Sequence, residues 1–259
     1  MILLYETIDA KRNEAFILEL RRFGDFKLIC WDKWNTKGTD LLADSLHGHT
    51  VLFRCRRPQA ARSLEDKGVR LINRAEVNRI ANDKWLSHQL FGMLGVPSIP
   101  TYHQPQEFPC IAKTVDGHGG AEVVKIESAD AMVRFESETI YQPIVPHVAD
   151  VRAYVIGDKV VGAVKRSSKS SFRKNFSLGA KVEKFTLDSI QETEVLKIAR
   201  ALKADYIGVD FLLLEDGRHL FNEVEDPVGA RSFYQTHDEN IAELLVQHIK
   251  GKERNAPYF

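Results

Sequence analysis

A chain of 259 residues, 44% hydrophobic and 28% charged, can bury a sizeable core as one large domain or as two or three lobes. Lys plus Arg and Asp plus Glu number 36 each, and the zero formal net charge argues against a binder held to nucleic acid mainly by electrostatics. No apolar run approaches the length needed to cross a bilayer and no signal peptide is visible, so no membrane role and a cytoplasmic location are expected.

The first eighty residues alternate between strand and helix patterns, with strands expected over 2–5, 27–31, 50–54 and 69–72. A helix is expected over 9–22, with Asp9 as its N-cap and Phe16, Ile17 and Leu20 on one face. Such alternation predicts a small, mostly parallel α/β domain. Helical periodicity then runs over 75–95, with Trp85, Leu86, Leu90 and Leu94 apolar, and stops at Gly95-Val96-Pro97. A proline-marked connector (Pro97, Pro100, Pro105, Pro109) leads to extended segments over 108–115, 122–126, 139–144, 151–156 and 160–165, with a short helix at 128–136. An amphipathic helix over 192–202 precedes a hairpin, and a last helix covers about 238–250, followed by a loosely held tail. Cys30, Cys55 and Cys110 are too few and too scattered for a disulfide framework or a zinc site, and Cys30 and Cys110 lie in apolar runs that favour burial.

Two segments carry chemistry. In the hairpin, β-rich runs 208–214 and 220–225 flank Glu215-Asp216-Gly217, a strong turn signal. Strand alternation projects Glu223 and Glu225 from one face, which Asp210 on the partner strand reaches if the register allows. Three convergent carboxylates repel unless a cation lies between them, and a hard ion such as Mg2+ suits them. The competing reading is a half-exposed hairpin whose acids face water. In the second segment, Ile111-Ala112-Lys113 ends a strand and Asp116-Gly117-His118-Gly119-Gly120 follows as a glycine-rich loop whose N–H groups can approach phosphate oxygens. His118 is read as incidental to the loop, and the His47/His49 pair lacks a third ligand nearby.

In combination, residues 82–247 resemble the ATP-grasp superfamily, and within it the RimK-type amino-acid ligases. The resemblance implies an ATP-grasp fold, two α+β lobes gripping ATP, preceded by a small α/β pre-ATP-grasp domain. It divides the chain at 1–80, 81–147 and 148–259, the central lobe holding the glycine-rich loop and the last the metal site. Lys84 in Asn82-Asp83-Lys84, together with Lys113, would touch nucleotide phosphates, and Gly117, Gly119 and Gly120 would belong to the flap over ATP. Tyr141-Gln142-Pro143-Ile144 matches the adenine hinge, with Gln142 and Ile144 binding the base, because Pro143 lacks an N–H. In Asp150-Val151-Arg152, Asp150 would bind ribose and Arg152 phosphate or substrate; Lys165-Arg166 resembles the family's basic pair, in which Lys165 would bind the cofactor. Arg173 and Asn175 would face the γ-phosphate and the acyl phosphate. Asp210, Glu223 and Glu225 fall on the family's magnesium ligands, with Glu225 where Asn is usual. Gly229 and Arg231 would meet the substrate, Arg231 by pairing with a carboxylate.

The implied activity is ATP- and Mg2+-dependent carboxylate–amine ligation through an acyl phosphate, on amino-acid or peptide substrates, with Mn2+ as a substitute metal. A homo-oligomer is allowed, and no nucleic-acid partner is expected. The residues leave open two alternatives, an ATP-grasp small-molecule kinase and a non-catalytic ATP-binding module.

Overall fold

The computed structural model describes residues 1–118, 122–167 and 181–254. Short apolar runs at the start of the chain form β1 (Ile2–Tyr5), β2 (Lys27–Cys30), β3 (Thr50–Phe53) and β4 (Arg70–Ile72), a parallel sheet of order β2-β1-β3-β4. Parallel pairing requires crossovers, which α1 (Thr7–Arg12), α2 (Glu14–Phe23), α3 (Thr36–Leu46) and α4 (Pro58–Asp66) supply. All four residues of β1 are buried because both faces are covered. Leu3 and Tyr5 pack with Phe16, Ile17 and Leu20 of α2, whereas Ile2 and Leu4 pack with Leu42, Leu46 and Leu64 of α3 and α4. The connections after β1 and β3 therefore lead to opposite faces, and a crevice opens between the carboxyl ends of these two adjacent strands.

After α5 (Ala75–Ala81) and α6 (Lys84–Leu94), a three-stranded antiparallel sheet forms from β5 (Cys110–Thr114), β6 (Val123–Ile126) and β7 (Thr139–Pro143), in the order β6-β5-β7. The third sheet contains β8 (Ala149–Ile156), β9 (Lys159–Ser167), β10 (Lys181–Phe185), β11 (Tyr206–Leu213) and β12 (His219–Glu225), in the antiparallel order β10-β9-β8-β11-β12. One face, through Val151, Ala153, Ile207 and Val209, packs on Val195, Ile198 and Leu202 of α7 (Ser189–Leu202) and on Phe91 of α6. On the opposite face Tyr154, Ile156 and Tyr206 join Phe16 of the N-terminal unit and Ile241, Leu245 and Ile249 of α9 (Ile241–Arg254) in one apolar cluster. The remainder of that face carries the polar residues described below. Among the described residues, no helix is long and apolar enough to cross a membrane.

Several local expectations are corrected. The helix over 9–22 is two helices broken at Asn13, whose side-chain amide donates to the Asp9 carbonyl (2.8 Å); Asp9 lies in the first turn of α1 and is no N-cap. The helix over 75–95 breaks at Asn82-Asp83, where the Asp83 carboxylate accepts from the Leu86 N–H (3.0 Å) and starts α6 afresh. Gly95 ends α6 at φ 63°, the left-handed geometry of a helix C-cap. Trp85 lies over the His103 ring, centroids 3.9 Å apart, and Phe91 takes the core position instead. The expected helix over 128–136 contracts to a 3-10 turn, Ala129–Ala131. Cys30 is exposed, because β2 is an edge strand, while Cys55 and Cys110 are buried. Helix α9 continues through Gly251 to Arg254, where a loose tail was expected. Strand β10 and the short helix α8 (Arg231–Tyr234) had no counterpart in the sequence reading.

Candidate active site

The acidic hairpin forms as expected from its turn, with Gly217 at φ 84° and Leu214 N–H donating to the Arg218 carbonyl (2.8 Å). Uninterrupted alternation would place Phe221 on the same face as Glu223 and Glu225. A bulge prevents this: Asp210 pairs with Glu223, yet Phe211 pairs with Phe221, so Asn222 is the extra residue. Phe221 turns into the core against Phe91 and Phe211, with ring centroids 5.6 and 5.7 Å away. Glu223 and Glu225 stay on the polar face with Asp210, and one carboxylate oxygen from each lies within 4.8 Å of the others.

Cations on neighbouring strands partly neutralise this cluster. Arg152 of β8 donates to both oxygens of Asp210 (2.7 and 2.6 Å) and to Glu225 (2.7 Å), while Arg166 of β9 donates to Asp210 (3.1 Å). Burial by itself would raise the Asp210 pKa, but the two guanidinium groups outweigh it and hold the carboxyl below its ordinary value. Among the described residues, no guanidinium pairs with Glu223. Burial raises its pKa, and the charges of Glu225 and Asp210 add to the rise against Lys84 and Lys113. Gly208, paired with Glu225, leaves room for this packing: a Cβ there would lie 2.8 Å from Val228 Cγ2 and 3.3 Å from Arg152 Cδ.

A cavity of about 210 Å³ opens over the cluster, lined by residues of the second and third sheets and by Arg56 from the connection after β3. Lys113 enters from β5 and donates to Asn222 Oδ1 (3.1 Å), the residue that the bulge exposes. Lys84, at the start of α6, donates to the Gly117 carbonyl and so ties the glycine loop to that helix. A Cβ on Gly117 would sit 2.3 Å from Thr114 Oγ1 and 2.8 Å from Glu122 Oε2, and these two atoms are themselves hydrogen-bonded. His118 also lines the cavity; desolvation, then the charges of Arg56 and Lys84, lower its pKa to about 4, so the imidazole is neutral at pH 7. At the other end lie Ile144 and the buried Gln142, whose side-chain amide donates to Thr101 Oγ1 (2.9 Å). Asp150, 3.4 Å from His147, faces the same space.

The structure therefore brings Lys84, Lys113, Gly117, Gln142, Ile144, Asp150, Arg152, Asp210, Glu223 and Glu225 around one cavity. Three expected site residues lie elsewhere. Lys165 pairs across the sheet with Val151, on the face opposite the cavity, and is 3.7 Å from Glu183; strand alternation gives the cavity position to Arg166. Gly229 is outside the cavity lining, with its carbonyl accepting from the Tyr154 hydroxyl (3.2 Å), and Arg231 is exposed at the first residue of α8. Gly119, Gly120, Arg173 and Asn175 fall outside the described residues.

Arg56, Asn222 and Asp226 line the cavity without having been expected there, and of the basic pair Lys165-Arg166 the role given to Lys165 falls to Arg166. Strand parity could have chosen Arg166 over Lys165 within that pair, and Arg56 could have been found from its place just after a parallel strand. Asn222 depends on a bulge and Asp226 on long-range contacts, neither of which has a local signal. Asp226 is buried beyond the end of β12 and accepts from the side chains of Asn73 and Asn78 (both 2.9 Å), while its carbonyl accepts from Asn82 (2.8 Å).

Asp210, Glu223 and Glu225 present only hard oxygen donors and would suit a magnesium ion. The basic side chains on the facing strand and helix would suit phosphate oxygens. The RimK-like ATP-grasp domain family matches residues 81–249. MG011, an uncharacterized protein of Mycoplasma genitalium, is 31% identical over 258 aligned residues, spanning 94% of this chain and 90% of its own length. A probable alpha-L-glutamate ligase of Pasteurella multocida is 29% identical, covering 74% of this chain and 67% of its own. Among solved structures, the ATP-grasp ligase PsnB, complexed with a phosphomimetic variant of its minimal precursor, Mg and ADP, superposes with a TM-score of 0.68 at 17% identity over 97% of this chain and 98% of that one. The fold is the ATP-grasp fold. This chain belongs to the RimK-like ATP-grasp family.

Proposed function

We propose that the protein is an ATP- and magnesium-dependent carboxylate–amine ligase that forms an amide or peptide bond through an acyl phosphate. The observation that carries this reading is the meeting of three carboxylates with Lys84 and Lys113 around one cavity, in a chain of this family. The limits near residues 80 and 147 suit it, since the three sheets fall within 2–72, 110–143 and 149–225. ATP lies between the second and third units, and the protein acts in the cytoplasm on amino-acid or peptide substrates.

Magnesium, when bound by Asp210, Glu223 and Glu225, supplies charge neutralisation on the transferred phosphoryl group. Lys84 and Lys113 bind and orient phosphate oxygens. Gln142 and Ile144 border the adenine, and Asp150 accepts from ribose hydroxyls. Arg152, which now bridges Asp210 and Glu225, holds the charge balance of the site, and Arg166 is the second guanidinium available to the developing acyl phosphate. The glycine loop closes over the site and keeps water from that intermediate. An amine then displaces phosphate, releasing ADP and inorganic phosphate in all.

Product mass spectrometry after incubation with ATP, Mg2+ and a panel of amino acids tests the reading. Masses that correspond to amides are expected. A mass increase of one phosphate group would indicate a kinase instead, and ATP binding without turnover a non-catalytic module.

Lys113 makes the nucleotide site sensitive to pH. Desolvation is the main cause that lowers its pKa from 10.5 to about 8; nearby Lys84 lowers it further, while Glu223 and Asp150 oppose the shift. Phosphate binding favours the charged ammonium, so above pH 8 the free protein must take up a proton to bind. Nucleotide affinity should fall by up to about tenfold per pH unit above pH 8. Calorimetric titration at pH 7, 8 and 9 checks this, and Lys113→Arg, always charged, should flatten the profile.

A further inference from the structure

A second cavity, of about 570 Å³, opens at the end of the third sheet away from the nucleotide cavity, and among the described residues the two share no lining side chain. Four residues of β8, about 13 Å of strand, separate Arg152 from Ile156 at its edge. The turn between β8 and β9, the last turn of α7 and helix α9 meet there. Ile156, Val161, Ala204 and Leu244 give it an apolar floor. Its rim is basic: Lys159, Arg200, Lys203 and Lys252 line it with a single carboxylate, Asp158. That excess is local, because the chain as a whole carries no formal net charge.

The arrangement is held from within. Buried Asp205 accepts from His248 (2.7 Å) and from Lys252 (2.6 Å). Burial raises its pKa, but these two partners outweigh burial, so the carboxylate is ionised and its charge is already matched. A Cβ on Gly157 would lie 2.7 Å from His248 Cε1, so glycine in that turn is what lets the ring lie so close. Arg200 is 3.8 Å from Asp158. Lys159 and Lys203, among the described residues, make no hydrogen bond and no ion pair through their side chains. Lys203 points its chain from a left-handed backbone (φ 51°) at the end of α7, where glycine is the usual residue.

Asp205 also leads back to the nucleotide cavity. Its N–H donates to Asn73 Oδ1 (2.6 Å), Asn73 Nδ2 donates to Asp226 (2.9 Å), and the Asp226 carbonyl accepts from Asn82 (2.8 Å), two residues before Lys84. All four residues are buried, so a shift in one must be taken up by the next. We propose that the second cavity is an effector site for a small organic phosphate, and that its occupation weakens nucleotide binding. The phosphate group meets Lys159, Lys203 and Lys252, and the apolar body lies on Ile156 and Leu244. Lys252 then divides its ammonium between the ligand and Asp205. The loosened Asp205 disturbs Asn73 and Asp226 in turn, and with them the start of α6 that presents Lys84. The site itself stands apart from the ligase reading; its coupling requires only that the first cavity binds nucleotide.

Phenyl phosphate serves as the probe, with inorganic phosphate and phenol as its two parts. Calorimetric titration of the wild type should show phenyl phosphate binding with a dissociation constant below about 1 mM, at least about fivefold tighter than inorganic phosphate, and no binding of phenol. Saturating probe should weaken binding of the non-hydrolysable analogue AMPPNP with Mg2+ by at least about threefold, up to a fixed ceiling, and AMPPNP should weaken the probe by the same factor. Combining Lys159→Glu with Lys203→Glu should lower probe affinity at least about tenfold and leave AMPPNP affinity unchanged. Lys203→Gly, which suits the left-handed backbone, should lower probe affinity about threefold without lowering the melting temperature. Absence of probe binding, or binding that survives the double charge reversal, overturns the site. So does an AMPPNP loss that grows without a ceiling, which would put the probe in the nucleotide cavity. AMPPNP affinity unchanged by saturating probe overturns the effector role. Failure of the wild type to bind AMPPNP at all would count against the ligase reading, while the probe titrations still decide the site.

Discussion

Glu223→Gln should lower turnover by about a thousandfold or more while leaving the free protein at least as stable as the wild type. The two halves of this expectation have one cause. Glu223 is the carboxylate of the cluster that no guanidinium neutralises among the described residues, and burial and the charges of Glu225 and Asp210 raise its pKa. With a raised folded-state pKa, an ionised Glu223 costs stability at neutral pH, and the cost vanishes as pH falls below the ordinary carboxylate range. Glutamine removes that cost together with a metal ligand. Thermal melting without metal should show the variant equal to or above the wild type at pH 8, with the difference narrowing on acidification. Titration with Mn2+, read by calorimetry, should show weakened metal binding. Unaltered activity in this variant would remove the site assignment.

The opposite pattern is expected at Asp226. Asp226→Ala should destabilise the protein by about 3 kcal/mol, lowering the melting temperature by about 10 °C, because the buried Asn73 and Asn78 amides each lose one of their two acceptors. Those amides also reach the Tyr206 and Cys55 carbonyls (2.6 and 2.9 Å), so Asp226 links the end of the acidic hairpin to the connection after β4 and to α5. Asp226→Asn should recover only part of the loss, since its NH2 would face another amide donor. Differential scanning calorimetry of both variants measures the effect; a change of less than 2 °C in Asp226→Ala would show that the network contributes little.

The contrast between these two residues shows what local sequence conveys. Glu223 and Asp226 are three positions apart and equally acidic, and only the first stands out in a strand pattern. The Asp216-Gly217 turn and the period-two runs made the hairpin legible, as the repeated strand–helix alternation did for the N-terminal sheet. The 3.6-residue period persisted across 75–95, yet the helix breaks at Asn82-Asp83, because the Asp83 cap and the Asn82 link to Asp226 outweigh propensity. Cys30 looked buried in an apolar run, but an edge strand leaves it exposed. Arg231 looked suited to a carboxylate by its place in sequence, whereas α8 holds it at the surface.

Sequence alone determined the family, the α/β class and the three acidic residues of the hairpin, since ordered motifs and periodicity are properties of neighbouring residues along the chain. Tertiary structure decided which side chains share the cavity. A one-residue bulge at Asn222 sends Phe221 to the core and keeps Glu223 and Glu225 with Asp210. Strand parity exchanges Lys165 for Arg166. The packing of α2 and α9 in one cluster with the face of the third sheet brings the N-terminal unit, and with it Arg56, to a site whose other parts lie at least 25 residues further along the chain. No local pattern encodes such juxtapositions, because each depends on which surfaces bury one another when the chain folds.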